Sequence, residues 1–186
     1  MASRRTSILV EAALCIALAA VLAQIRLWRM PMGGTVSLEM LPLFVFALRR
    51  GVGPGLFAGA VYGTLNYFFD PYAVHWAQVL LDYPVAHSLV GLAGLLTPVW
   101  RRILVRSAPR ALAIAAVPGM ALGAFGRFAA HWVSGLVFFA SAAPQGQPAW
   151  LYSLVYNGSY MVPSLVACVA AALVLLPALE KAVPPR

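Results

Sequence analysis

The chain has 186 residues, of which 62% are hydrophobic and only 10% are charged, and its mean hydropathy is +0.86. Ordinary globular domains are about 45–50% apolar and about 25% charged, so this composition excludes a soluble domain of this size. The formal net charge of +8 comes from short basic clusters between apolar runs. Such clusters encode membrane orientation, and no basic face with interleaved aromatic residues exists. We therefore expect one integral membrane domain that contacts the lipid bilayer and binds no nucleic acid.

Six apolar segments follow one another along the chain, which predicts an all-α membrane protein with six transmembrane helices. The expected spans cover residues 8–27, 36–49, 52–69, 75–97, 111–140 and 150–176. The second segment is shorter than the ~20 residues that a span needs, and Glu39 and Pro42 shorten its clean portion further. The fifth segment is long enough to require a tilt or a kink. In the third, Gly55, Gly59 and Gly63 form a stripe that favours close helix packing.

The basic residues indicate which loops face the cytoplasm, but their distribution does not determine the number of transmembrane helices. With six spans, most bases lie on one side of the membrane, and Arg26 and Arg29 lie opposite. If the short second segment does not span, placing the N-terminus on the opposite side of the membrane gives the same ratio of basic residues between the two sides. An arginine pair before a first helix usually stays inside, which favours six spans with both termini in the cytoplasm.

Small residues give the first helix a narrow face. Ala13 and Ala17 are four residues apart, a spacing that lets two helices approach closely in lipid. Either this face packs inside the chain or it docks on a partner membrane protein. The two cysteines, Cys15 and Cys168, lie far apart inside apolar runs and predict small buried hydrophobes, with neither a disulfide nor a metal site.

Several catalytic functions lack their motifs. The chain has no G-x-x-x-x-G-K-[ST] sequence and its one lysine, Lys181, is in the tail, so we expect no bound ATP and no other cofactor. It has no H-E-x-x-H and no Cys/His cluster, which argues against a metal. Ser134 follows His131 by three residues, one helical turn, and permits an intramembrane hydrolase as a distant alternative.

The segment from Gln78 to Pro84 is the most informative part of the chain, because it places Asp82 in an apolar run. A carboxylate at membrane depth is costly and indicates a functional site. Tyr83 adds a ring and a hydroxyl, and Pro84 loosens the helical hydrogen bonds. An Asp that merely caps a helix at the interface is the alternative.

Aromatic and polar residues cluster near the same ends of the spans. Individually, an aromatic belt at the membrane interface explains most of the Trp and Tyr residues. His131 alone is typical of a packing residue, and Asn157 requires hydrogen-bond partners from neighbouring helices or from a ligand. Taken together, a carboxylate, aromatic faces and an amide suit a small flat cation.

These residues resemble the thiamine-specific substrate-binding (S) subunit of energy-coupling-factor vitamin transporters. The matching segments are Ser37-Leu-Glu-Met-Leu-Pro42, Phe46-Ala-Leu-Arg-Arg-Gly51, Gly55-Leu-Phe-Ala-Gly59, Gln78-Val-Leu-Leu-Asp-Tyr-Pro84, Gly91-Leu-Ala-Gly94, Arg127-Phe-x-x-His131 and Tyr152-x-x-x-x-Asn157-Gly158. The resemblance implies a six-helix bundle in the plasma membrane of a prokaryote, with a pocket closed by the loop after the first helix. It implies that Asp82 is the pocket carboxylate. The other implied ligand contacts are Tyr72, Tyr83, His131, Gly135, Phe139, Tyr152 and Asn157.

The resemblance also implies the partners and the activity. Ala13 and Ala17 would dock on the transmembrane coupling subunit, and two ATPase subunits would hydrolyse ATP while this chain hands thiamine across the membrane. The chain itself would be no enzyme. It departs from the family in having Asp82 where Glu is common and Phe139 where a stacking Trp is usual. A binding subunit for another vitamin or heterocycle is the nearest alternative.

Overall fold

The structure is a computed structural model that describes residues 4–105 and 109–182. Most of these residues are helical. The principal elements are α1 (Arg4–Gln24), β1 (Trp28–Arg29), β2 (Thr35–Val36), α2 (Met40–Arg50), α3 (Val52–Phe69), α4 (Trp76–Leu80), α5 (Ala86–Leu89), α6 (Thr97–Val105), α7 (Pro109–Phe138) and α8 (Ala149–Ala182). A π-helical turn, Leu81–Val85, joins α4 to α5, and a 3₁₀ segment, Val90–Leu96, joins α5 to α6. Together α4, α5 and α6 form one continuous rod, residues 76–105, which we call the composite helix.

The described residues confirm the expected fold class, because they form six helical rods: α1, α2, α3, the composite helix, α7 and α8. Four helical stretches are long and apolar enough to cross a bilayer. They are Arg5–Gln24, Trp76–Ile103, Ala111–Phe138 and Ala149–Ala178. The chain is therefore built as a membrane protein.

The short second helix is the centre of the bundle. With 11 residues, α2 is about 16 Å long at 1.5 Å rise per residue, about half the hydrocarbon thickness. Eight of its residues are buried, among them Phe44 and Leu48. The antiparallel β1–β2 hairpin precedes it and pairs Trp28 with Val36. The helical part of the second segment is thus shorter still than the expected span of residues 36–49, because α2 begins only at Met40.

The glycine stripe of α3 packs directly on the composite helix, as its spacing predicts. A Cβ added to Gly59 or Gly63 would collide with the backbone carbonyls of His87 and Tyr83. The absence of side chains here lets the two helices approach at backbone distance, which fixes the height of the π-helical turn in the bundle.

The outer face of α1 is exposed. Ala12 and Ala19 are buried against the bundle, whereas Ala13 and Ala17 are exposed on the other side of the helix. Of the two interpretations of the Ala13–Ala17 spacing, packing inside this chain is therefore wrong. The neighbouring exposed residues are large and apolar, including Leu14 and Leu18, as a surface in lipid requires.

Arginines gather at one end of the bundle. Glu11, near the start of α1, forms ion pairs with Arg49 and Arg50 at the end of α2. Arg101 donates a hydrogen bond to the Arg49 carbonyl oxygen at 2.9 Å. Because α1 runs away from this end and α2 runs back toward it, the opposite end is where α1 finishes and α2 begins.

Candidate ligand-binding site

A cavity of about 140 Å³ lies at the end of the bundle opposite the arginine cluster. A single water needs only about 10–15 Å³, so the space suits a small organic molecule. The lining includes every residue predicted for the ligand: Tyr72, Asp82, Tyr83, His131, Gly135, Phe139, Tyr152 and Asn157. It also includes residues from the β1–β2 hairpin, α3 and α8, and Glu39, which immediately precedes α2.

Asp82 enters the cavity from the π-helical turn of the composite helix. Pro84 lies within this turn, and because proline lacks an N–H and its ring crowds the preceding turn, the helix widens locally instead of continuing as an α-helix. The N-cap of α4 is His75, whose ring nitrogen accepts a hydrogen bond from the Ala77 amide at 3.1 Å. The helix-capping interpretation of Asp82 is therefore wrong.

Two neutral groups hold the Asp82 carboxylate. Gln78 Nε2 donates to Oδ2 at 2.7 Å, and His131 Nδ1 lies 3.1 Å from Oδ1. The Asp82 side chain is 15% exposed. Among the described residues, no arginine or lysine forms an ion pair with it.

The second nitrogen of His131 indicates the protonation of the ring. Arg127 Nε donates to His131 Nε2 at 3.4 Å, and arginine has no acceptor, so Nε2 carries the lone pair. The proton of the neutral imidazole is then on Nδ1, where it is donated to Asp82. This assignment follows from the hydrogen-bond geometry, and it leaves the negative charge of Asp82 without a cationic partner.

A buried ion pair lies deeper in the bundle, and the sequence analysis did not predict it. Arg127 Nη1 is 2.6 Å from Glu39 Oε1, and the Tyr62 hydroxyl donates to Glu39 Oε2 at 2.6 Å. Glu39 is the N-cap of α2 and Arg127 is in the middle of α7, and both side chains are at least nine-tenths buried. The sequence did carry a signal for this pair, because Glu39 and Arg127 are opposite charges placed in two different apolar segments.

The aromatic residues fall into two groups. Tyr72 stacks on Phe139 with 6.0 Å between ring centroids, and Tyr152 packs against Tyr156 at 5.8 Å. These four rings line the cavity. Trp76 and Trp150, by contrast, are more than half exposed and fit the interfacial belt.

The seam between α7 and α8 forms one wall of the cavity. A Cβ on Gly135 would collide with the Ser153 hydroxyl, so only glycine allows this approach. Asn157 Nδ2 donates to the Ser153 carbonyl oxygen at 2.9 Å, and its Oδ1 accepts from the Tyr160 hydroxyl at 2.8 Å. Residues of α8 itself thus satisfy much of the Asn157 amide, and a further hydrogen bond from Nδ2 to the His131 carbonyl oxygen at 3.3 Å joins it to α7.

Tyr83 and Gln78 fix the loop that carries Tyr72. The Tyr83 hydroxyl donates to the Asp70 carbonyl oxygen at 2.8 Å and accepts from the Tyr72 amide at 2.7 Å. Gln78 Nε2 donates to the Tyr72 carbonyl oxygen at 3.1 Å. Tyr83 therefore positions Tyr72, besides lining the cavity with its own ring.

The loop after α1 covers the cavity. The Tyr156 hydroxyl accepts from the Met32 amide at 2.8 Å and donates to the Gly33 carbonyl oxygen at 3.1 Å. Gly34 has φ +88°, and any Cβ there would lie 2.6 Å from the Tyr160 ring, so the turn requires glycine on both counts. We call residues 26–36 the lid.

Two ion pairs tie the lid to the loop after α3. Arg26 and Arg29 lie 3.2 and 2.9 Å from the two carboxylate oxygens of Asp70. Asp70 is about a third exposed, so each pair is partly screened by solvent.

The geometry does not form a hydrolytic pair. Both ring nitrogens of His131 are directed to other residues, Asp82 and Arg127. Ser134 Oγ is buried, and in the described part of the chain it has no hydrogen-bond partner. Within the same residues, no group of three or more His, Cys, Asp or Glu side chains is placed to hold a metal ion.

A helical membrane bundle that encloses a small cavity with a carboxylate, aromatic walls and a tethered lid defines a solute-binding membrane protein. The chain belongs to the family described as Thiamine transporter protein (Thia_YuaJ), which matches residues 9–183. This family consists of transporters, which agrees with the expectation that the chain is no enzyme.

Individual relatives carry the same description. The chain is 41% identical over 140 residues to the thiamine transporter ThiT of Bacillus subtilis (strain 168), covering 75% of this chain and 73% of that protein. It is 33% identical over 141 residues to ThiT of Lacticaseibacillus paracasei, covering 74% and 70%. A solved structure of ThiT from Listeria monocytogenes matches with a TM-score of 0.88 and 29% identity, covering 96% of this chain and 98% of that one. The resemblance found in the sequence is thereby confirmed.

Proposed function

We propose that this chain binds thiamine as the substrate-binding subunit of an energy-coupling-factor importer. The observation that supports this most directly is Asp82, a carboxylate in an enclosed cavity that is held by Gln78 and His131 and paired with no arginine or lysine among the described residues. A permanent cation can supply the missing positive charge. Thiamine carries one in its thiazolium ring, and the names of the relatives support this choice.

The aromatic walls complete the proposed binding mode. Ring faces attract a cation through their quadrupole, and Tyr72, Phe139 and Tyr152 offer such faces around the cavity. In this mode Asp82 provides the negative potential and the acceptors for N–H groups of the aminopyrimidine. Asn157 and Gly135 shape the opposite wall.

The transport cycle in this proposal depends on partner subunits. The chain lacks a P-loop, so ATP is hydrolysed by two ATPase subunits that act through a transmembrane coupling subunit, and this chain binds no cofactor. We place it in the plasma membrane of a prokaryote with both termini in the cytoplasm. In that orientation the arginine cluster faces inward and the cavity opens outward.

Titration of the purified protein with thiamine, followed by tryptophan fluorescence, tests the proposal. We expect sub-micromolar affinity in the wild type and about a hundredfold weaker binding in Asp82→Asn, since a desolvated charge pair typically costs 2–5 kcal/mol when one partner is removed. Glu11→Gln is the matched control, because it removes a carboxylate from the opposite end of the bundle.

Two results would contradict the proposal. Wild-type protein that binds no thiamine would exclude the ligand, and the co-purifying small molecule, identified by mass spectrometry, would then identify another vitamin or heterocycle. Equal affinity in Asp82→Asn and wild type would remove this carboxylate from the site.

A further inference from the structure

Ser134 is a buried hydroxyl that the site as described leaves unused. It lies on α7 between His131 and Gly135, its residue is 1% exposed, and it lines the cavity. Its Oγ has no hydrogen-bond partner within residues 4–105 and 109–182. Burying a hydroxyl without a partner is unfavourable, so a serine at this position indicates that something else supplies the hydrogen bond.

Neighbouring hydroxyls of the cavity differ from Ser134 in this respect. Ser153 Oγ donates to the Trp132 carbonyl oxygen at 2.8 Å, and the Tyr156 hydroxyl is engaged with the lid. The Asp82 carboxylate is near enough for a weak hydrogen bond from the Ser134 hydroxyl, although the pair lies outside ordinary hydrogen-bond geometry. The serine proton is therefore drawn toward Asp82, which leaves the oxygen lone pairs for a donor on the ligand.

We propose that Ser134 is a ligand-binding residue that accepts a hydrogen bond from the exocyclic amine of the aminopyrimidine. This rests on the proposed function, because it takes thiamine as the ligand. The amine has two N–H donors in the plane of its ring, and Asp82 together with Ser134 offers two acceptors on adjoining walls of one cavity. Ser134 thereby selects for an amino group at this position of the heterocycle.

A thermodynamic cycle tests the proposal by combining a substitution of Ser134 with removal of the amino group from the ligand. Thiamine and 4′-deaminothiamine, which lacks the amine, are titrated against wild type and Ser134→Ala. We expect Ser134→Ala to weaken thiamine about tenfold and to change the affinity for the deamino compound less than about twofold. Ser88→Ala, at a half-buried serine that does not line the cavity, is the control and should leave both affinities unchanged.

The melting temperature of the ligand-free protein separates a binding role from a structural one. Because Ser134 Oγ has no hydrogen-bond partner among the described residues, Ser134→Ala should melt no lower than wild type. Unchanged thiamine affinity, or equal losses for both compounds, would overturn the proposal. Failure of the wild type to bind thiamine would instead overturn the proposed function.

Discussion

Three carboxylates line the cavity, and their neighbours make them chemically different. Glu39 is neutralised by a buried arginine, and Asp70 is shared by two arginines of the lid. Asp82 receives hydrogen bonds from Gln78 and His131, which stabilise the charge without cancelling it. A bound cation therefore finds its complement at Asp82, while the other two acids maintain the shape of the site.

Phe139 sets the strength of the aromatic wall. Tryptophan is the stronger cation–π partner, so we expect Phe139→Trp to tighten thiamine binding about threefold and Phe139→Leu to weaken it. The measurement is the dissociation constant from fluorescence titration. Phe125→Trp, at an exposed position of α7, the helix that ends just before Phe139, adds a tryptophan away from the cavity and should leave affinity unchanged. If Phe125→Trp also binds thiamine more tightly, or if Phe139→Trp binds it no more tightly than wild type, residue 139 does not act as a cation–π partner.

The sequence predicted these residues better than it predicted their partners. Asp82 stood out because a charge inside an apolar run is costly wherever the helix lies. Glu39 carried the same signal, but its position near a proline in a short segment suggested only the edge of a span. The pairing of Glu39 with Arg127 depends on how α2 and α7 cross, which no local spacing encodes.

At the scale of elements, the buried ion pair joins the start of α2 to the middle of α7. Arg127→Met would leave the Glu39 carboxylate buried with no compensating charge, and we expect it to lower the free energy of unfolding by about 3–5 kcal/mol. Thermal melting in detergent measures the change. Adding Glu39→Gln to Arg127→Met should restore part of the stability, because no charge then remains unpaired. If the single variant melts like wild type, the pair does not hold these helices together.

We expect the lid to be the element that controls ligand release. Removing its ion pairs by Asp70→Asn should speed thiamine dissociation, by about fivefold to thirtyfold, since two partly exposed pairs contribute about 0.5–1 kcal/mol each. Stopped-flow fluorescence measures the rate. High salt should speed release from the wild type but hardly from the variant, because salt screens exposed charges. Dissociation with the same salt dependence in both proteins would show that these pairs do not restrain the lid.

The lid also shows where sequence reasoning reached its limit. An apolar run of 14 residues suggested that the second segment extended from residue 36 to residue 49. In the structure only Val36 of that run lies in a strand, residues 37–39 form a bend and a turn, and α2 begins at Met40. Hydrophobicity alone does not distinguish buried extended chain from the start of a helix.

At the scale of the whole molecule, the proposed binding site and the proposed docking face occupy different surfaces. The cavity lies inside the bundle at one end, whereas Ala13 and Ala17 are exposed on the outer face of α1 and do not line it. A transporter that draws its energy from separate subunits needs such a division, since the coupling surface must stay accessible while the ligand is enclosed.

The exposed small-residue face of α1 gives this division a direct test. Ala13→Trp places a bulky ring where a partner helix would approach closely, so we expect thiamine uptake by cells and co-purification with the coupling subunit to be lost. Thiamine affinity of the isolated variant should equal that of the wild type, because Ala13 does not line the cavity. Val162→Trp, at an exposed position of α8, is the matched control for a tryptophan facing lipid and should retain uptake. Uptake preserved in Ala13→Trp would move the docking surface to another helix, and weakened affinity would show that this face supports the site.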